Sequence, residues 1–170
     1  MEDLDFPKYV PLFENLDDET LLKISKLGKK RAFARDSVVL MEHETGHALF
    51  VIVSGKVKVS RESDDGREVI LTYLSPNDFF GEMALIDGLA RSATVTAIEE
   101  TELFIIERAD FLDLLYDHPA VSFSLLQELT KRLRAADMKI KSLSLKDAEG
   151  KVATVILQIA DEVGKIRQGV

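Results

Sequence analysis

FFGEMALIDGLARSATVTA, residues 79–97, places within one short run the parts needed to hold a phosphodiester. Gly81 lacks a Cβ and lets the backbone pass close to a ligand. The six residues after it contain no proline, so the amides of Glu82, Met83, Ala84 and their neighbours are able to donate. Glu82 to Ile86 is predicted as a short helical turn whose first N–H groups would face whatever anion sits there. Arg91 adds a planar fork of donors suited to two phosphate oxygens at once, and Ser92 adds a rotatable hydroxyl. Glu82 would repel a phosphate unless it faces a donor, and a sugar hydroxyl is such a donor. Phosphate plus ribose is the ligand class this run points to.

On either side of the run the sequence alternates. SVVLM at 37–41, ALFVIVSG at 48–55, KVKVS at 56–60, REVILTYL at 67–74, ATVTA at 93–97 and ELFIIE at 102–107 are predicted strands, rich in Val, Ile, Phe and Thr. Turn signals separate them: Glu44-Thr45-Gly46, Ser54-Gly55, Ser63-Asp64-Asp65-Gly66 and Ser75-Pro76-Asn77-Asp78. Many short strands at regular spacing imply a mainly β, α+β fold, an antiparallel β-roll of jelly-roll type, into which residues 79–92 insert a helical turn. Before the strands, Asp17 is a candidate N-cap for a helix bearing Leu21, Leu22, Ile24 and Leu27, with Gly28 as its stop.

After the last strand a short helix is predicted from Asp110 to Tyr116, ended by Asp117-His118-Pro119. Pro119 suits the first turn of a new helix. Along it Leu126, Leu129, Leu133, Ala136, Ile140 and Leu143 step by three and four alternately, the seam of a two-stranded coiled coil. In a parallel dimer this register would bring Arg132 of one copy to Asp137 of the other; the alternative is a helix lying on the roll with both charges solvated. Asp147 is a candidate cap for a further helix bearing Val152, Val155, Ile156, Ile159 and Val163, closed by Gly164.

The segment GEMALIDGLARSA, residues 81–93, resembles the phosphate-binding cassette of cyclic-nucleotide-binding domains, FGE-x-x-L followed by R-[ST]-A. Over essentially its whole length the chain resembles Crp/Fnr transcription regulators. The resemblance implies a sensor roll over 1–118, a dimerisation helix and hinge over 119–146, and over 147–170 the first helix of a winged helix-turn-helix domain. The recognition helix and wing would then lie outside the chain or have been lost. Gly81 and Glu82 would engage ribose, and Arg91 and Ser92 the cyclic phosphate of cyclic AMP or a related cyclic nucleotide. Leu71, Leu74 and Phe80 would line the base and sugar; as plain roll core they would have the same pattern. Aligning KRLRAADMK puts Arg132 on an arginine that in family members meets the adenine, but Ala136 and Asp137 on a hydroxyl pair. Losing those hydroxyls weakens or rebuilds base recognition, and Asp137 could instead accept from an exocyclic amine, favouring adenine. The implied partners are a second copy through Pro119 to Leu143, DNA, and RNA polymerase, and the implied switch is a population shift in which the nucleotide favours one placement of the dimer helix.

Composition narrows the alternatives. A chain of 170 residues, 46% hydrophobic, holds one well-buried core plus an appendage. A net charge of -8 argues against a broad nucleic-acid surface. Without cysteine there is no thiolate zinc site and no iron–sulfur cluster on the chain's own thiols, which sets aside the cluster-based oxygen sensors of the family. No run is long and apolar enough to cross a bilayer and MEDLDFPKYV is acidic, unlike a secretory signal, so a cytoplasmic protein is expected. Nor is an enzyme expected. His43 and His47 stand four apart in a strand-turn context with no third metal ligand, His118 marks a helix boundary, and no nucleophile stands beside Glu82. The open alternatives are a sensor of the same family for a different effector and a stand-alone cyclic-nucleotide-binding module. As a phosphate grip on the surface, Arg91 would contribute little to the core, and its loss would leave the roll folded.

Overall fold

The near-continuous apolar run ALFVIV needs cover on both faces, and the architecture provides it. The structure, a computed structural model, describes residues 6–142. A 3-10 turn, Phe6–Tyr9, leads into α1, Asp18–Leu27. Strands β1 Lys29–Phe33, β2 Val38–Leu40, β3 Ala48–Ser54, β4 Val57–Glu62, β5 Glu68–Leu74 and β6 Phe79–Phe80 follow. Then come α2 Glu82–Asp87, β7 Thr94–Ala97, β8 Thr101–Glu107 and α3 Arg108–Asp117. A last helix, α4, covers 119–142.

The strands form two four-stranded sheets, ordered β1-β8-β3-β6 and β2-β7-β4-β5, with every pairing antiparallel. Ala48, Phe50, Ile52, Val57, Phe80, Val95 and Leu103 fill the core between them, with Phe33, Val39, Leu40, Val59, Leu74 and Ile105 packed around its edge. Alternation sends Leu49 and Val51 of β3 to the other face, against which α2 and α3 lie. This is the antiparallel β-roll expected from the strand spacing, and α2 is the helical insert between β6 and β7.

Two strands lacked a sequence signal. In β1 the residues are KKRAF and mostly exposed; it is an edge strand held by β8 alone, and edges favour charge over β-branched residues. With only Phe79 and Phe80, β6 is too short for a period to register. The turn before it is built as expected: the Asp78 amide donates to the Ser75 carbonyl (3.0 Å), and Asn77 at the third position takes φ 73°.

Asp17 caps α1 by accepting from the Thr20 amide at 2.7 Å, and Leu21 and Ile24 are buried beneath the helix. Gly28 ends it in extended backbone, not the left-handed cap usual for glycine, and a Cβ there would lie 2.4 Å from the Phe104 ring, so close packing rather than a positive φ calls for glycine. The Thr20 amide holds the Asp17 carboxyl below its ordinary range. With the folded value depressed, the stabilisation is complete above the unfolded value near about 3.9 and is lost as pH falls through the folded one. Asp17→Ala should therefore lower the melting midpoint by a few degrees at neutral pH, and the gap from wild type should close progressively as pH falls below the unfolded value. Thermal melts of both proteins across that range check this; a gap independent of pH would mean the charge is irrelevant to the cap.

Among the described residues no helix is long and apolar enough to cross a membrane. They fall into two compact units that divide after Leu126, so the start of α4 belongs with the roll. There Val121 and Leu125 are buried, and the Asn15 amide donates to Ser124 Oγ at 3.5 Å. In the second unit the predicted seam is a helical stripe left open, with Leu133 and Ile140 each 63% exposed. Leu143, the hinge and the helix expected from Asp147 to Gly164 lie outside the described residues.

Candidate functional site

Gly81 leaves β6 with φ 90° and ψ 0°, a left-handed conformation that turns the chain directly into α2. No side chain caps that helix start, so its first amides are not occupied by a cap. Ala84 and Leu85 are buried on its inner face, while Met83 is 51% exposed. Gly88, also left-handed at φ 71°, closes the helix and returns the chain towards Arg91.

Arg91 is the centre of the arrangement. It is only 5% exposed, and its guanidinium donates through Nη1 to the Gly81 carbonyl (2.6 Å) and through Nη2 to the Ala48 carbonyl (2.8 Å). Its Cζ stands 5.9 Å from the Phe50 ring centroid, and Phe50 stacks on Phe80 with centroids 5.2 Å apart. The fork is thus mounted on the core by two carbonyls and an aromatic face. Burial draws its pKa down, while the carboxylates of Glu82 and Glu44 act in the opposite sense. A guanidinium starts so far above neutrality that it stays charged here. Two of its five N–H donors are accounted for by the two carbonyls.

The expectation that Arg91 is a surface grip with little part in the core is therefore corrected. Its side chain is buried because the carbonyls of Ala48 and Gly81, from β3 and the turn after β6, converge on it, a convergence set by tertiary structure rather than local sequence.

Glu82 is 3% exposed and close enough to Arg91 for its charge to be felt. Ser92 is exposed, with its hydroxyl 3.8 Å from Met83 Sδ. Gly81, Glu82, Met83, Ala84, Arg91 and Ser92 are thus collected around one turn and one short helix. The residues expected around the base scatter more widely. Phe80 is core, at 4% exposed, Leu74 is half-buried at the edge of the core, and Leu71 on edge strand β5 is 41% exposed. Arg132, half-buried, and Ala136 and Asp137, both exposed, belong to the second unit.

Residues outside the motif complete the mounting. The loop before β3 runs antiparallel to the Arg91 backbone: the Arg91 amide donates to the Glu44 carbonyl (2.8 Å), the His43 amide donates to the Arg91 carbonyl (3.0 Å), and Thr45 bridges Ala90. Gly46 is buried against the site, where a Cβ would come within 2.6 Å of Ala84 Cβ and 3.0 Å of Arg91 Cζ. Glu44-Thr45-Gly46 carried only a turn signal in the sequence; nothing local ties it to an arginine 45 residues on.

The model of the family described as "Cyclic nucleotide-binding domain" matches residues 30–118. A CRP-like cAMP-activated global transcriptional regulator of Mycobacterium tuberculosis is 33% identical over 153 residues, covering 90% of this chain and 68% of the relative. The cyclic AMP receptor protein of Thermus thermophilus is 35% identical over 159 residues, covering 94% and 71% respectively. Among solved structures, the Thermus thermophilus catabolite activator protein superposes with a TM-score of 0.75 at 34% identity, over 94% of this chain and 72% of that one.

Proposed function

Since the chain belongs to the cyclic nucleotide-binding domain family, and within it to the Crp-like transcription regulators, we propose that residues 81–92 hold the ribose and cyclic phosphate of cyclic AMP. The observation that carries this is the buried guanidinium of Arg91, fixed by the carbonyls of Gly81 and Ala48 beside the start of α2. A charge-assisted bond made in so dry a place is stronger than one made in water. Arg91 takes the phosphate oxygens, helped by the Ser92 hydroxyl and by amides at the start of α2, including those of Met83 and Ala84. Glu82 accepts from a ribose hydroxyl. Leu71, Leu74 and Phe80 are assigned to the base and sugar side, and Arg132, Ala136 and Asp137 to base preference, with Asp137 accepting from an exocyclic amine.

The output is regulation of transcription, as in the named relatives, through a homodimer formed on 119–143 and a DNA reader that contacts RNA polymerase. Binding drives it by differential affinity for two placements of the helix. Turnover has no part: no 5′-AMP should accumulate on incubation with cyclic AMP.

Calorimetric titration against cyclic AMP, cyclic GMP and other cyclic nucleotides tests the reading. Saturable binding with cyclic AMP tightest is expected, and Asp137→Ala should erase the preference of cyclic AMP over cyclic GMP, roughly a fivefold to tenfold change for one hydrogen bond. No binding by any cyclic nucleotide would overturn the site, whereas an unchanged preference would remove only Asp137 from it.

A further inference from the structure

We infer that Glu44, on the loop wrapped around Arg91, is a specificity-determining residue that admits a phosphodiester with one negative charge and rejects a phosphate monoester with two. The inference rests on the reading of residues 81–92 as a cyclic nucleotide site. A cyclic nucleotide and its linear 5′-nucleotide differ by one water across one P–O bond, so shape alone separates them poorly. Charge separates them well: the diester carries one negative charge, while the monoester, with a second phosphate pKa near about 6, carries nearly two at neutral pH.

The loop is held in place from both sides. Main-chain bonds join the Glu44 carbonyl to the Arg91 amide and the His43 amide to the Arg91 carbonyl, Thr45 bridges Ala90, and Gly46 is wedged against Ala84 and the guanidinium. Glu44 itself is exposed, and its carboxylate is near enough to act on the Arg91 charge. Its neighbour Glu42 is committed elsewhere, accepting from Arg61 Nε at 2.8 Å and from the Glu62 amide at 3.4 Å. One guanidinium thus feels two carboxylates, the buried Glu82 and the exposed Glu44. Glu82 supplies no cation and keeps its charge while accepting from the ribose hydroxyl, so Arg91 balances at most a single phosphate charge. A second phosphate charge finds Arg91 already matched and meets Glu44.

The test compares wild type with Glu44→Gln by calorimetry at low salt, using cyclic AMP, 5′-AMP and adenosine 5′-methylphosphate, an open-chain diester with one charge. Removing one solvent-exposed charge should tighten cyclic AMP and the methyl ester by a common factor of about three, and 5′-AMP by roughly the square of it, about tenfold. The extra gain should vanish near about 1 M salt, where the screening length falls to about 3 Å. Equal gains for all three ligands, or none, would overturn the inference while leaving the site intact. Failure of wild type to bind cyclic AMP at all would overturn both. Because Glu44 is exposed and its structural bonds are main-chain, the variant should melt with wild type.

Discussion

Arg91→Ala should lower cyclic AMP affinity by more than about a hundredfold and destabilise the fold as well. The first effect follows from the donors. Each charge-assisted bond to phosphate is worth about 1.5–3 kcal/mol, so losing two costs about 3–6 kcal/mol, and about 1.4 kcal/mol is a factor of ten. The second follows from the buried mounting, since truncation leaves the Gly81 and Ala48 carbonyls without the guanidinium and opens a void beside Phe50. Each deserted carbonyl costs about 1–3 kcal/mol if water does not reach it. Relief from burying a charge offsets part of this, so a net loss of about 1–3 kcal/mol is expected. Arg91→Lys separates the two effects. An ammonium keeps the charge but is a single point, unable to hold two carbonyls and two phosphate oxygens at once. It should bind weakly, between wild type and alanine, and melt close to the alanine variant. Chemical denaturation paired with calorimetry reads both quantities, and an alanine variant with wild-type affinity would end the assignment of Arg91 to phosphate.

How far the sequence disclosed this depends on the range of each interaction. β3 and β8 were legible as apolar runs buried on both faces and β4 and β7 by alternation, whereas β1 hides in charged edge residues and β6 in two phenylalanines. The roll, the insert and the stripe on α4 could be read from local pattern. The depth of Arg91 could not, because it depends on the Ala48 carbonyl 43 residues away. For the same reason Phe80 and Leu71 look alike as apolar residues, yet one stacks on Phe50 inside and the other stands on an edge strand, 41% exposed. Cassette chemistry is written in side chains; its mounting is written in main-chain atoms supplied by distant residues, which no motif records.

That division makes Gly81→Ala the second large effect, with cyclic AMP affinity falling by about thirtyfold to a hundredfold although no polar group is removed, about 2–3 kcal/mol of binding energy. A Cβ at Gly81 would stand 2.7 Å from Arg91 Nη1 and 3.1 Å from the Ala48 carbonyl oxygen, inside the bonded fork. The guanidinium must retreat from its acceptors, and a misplaced fork meets the phosphate badly. Left-handed backbone adds a cost of about 1 kcal/mol for any residue other than glycine. Gly88→Ala isolates that cost. Its φ of 71° is also left-handed, yet a Cβ there meets nothing within 4 Å. Gly88→Ala should lose about 1 kcal/mol of stability and keep its affinity within about threefold. Equal losses of affinity at the two glycines would mean that strain in the helix termini, and not the seating of the arginine, controls binding; a loss confined to Gly81 ties capture of the ligand to the space left for the fork.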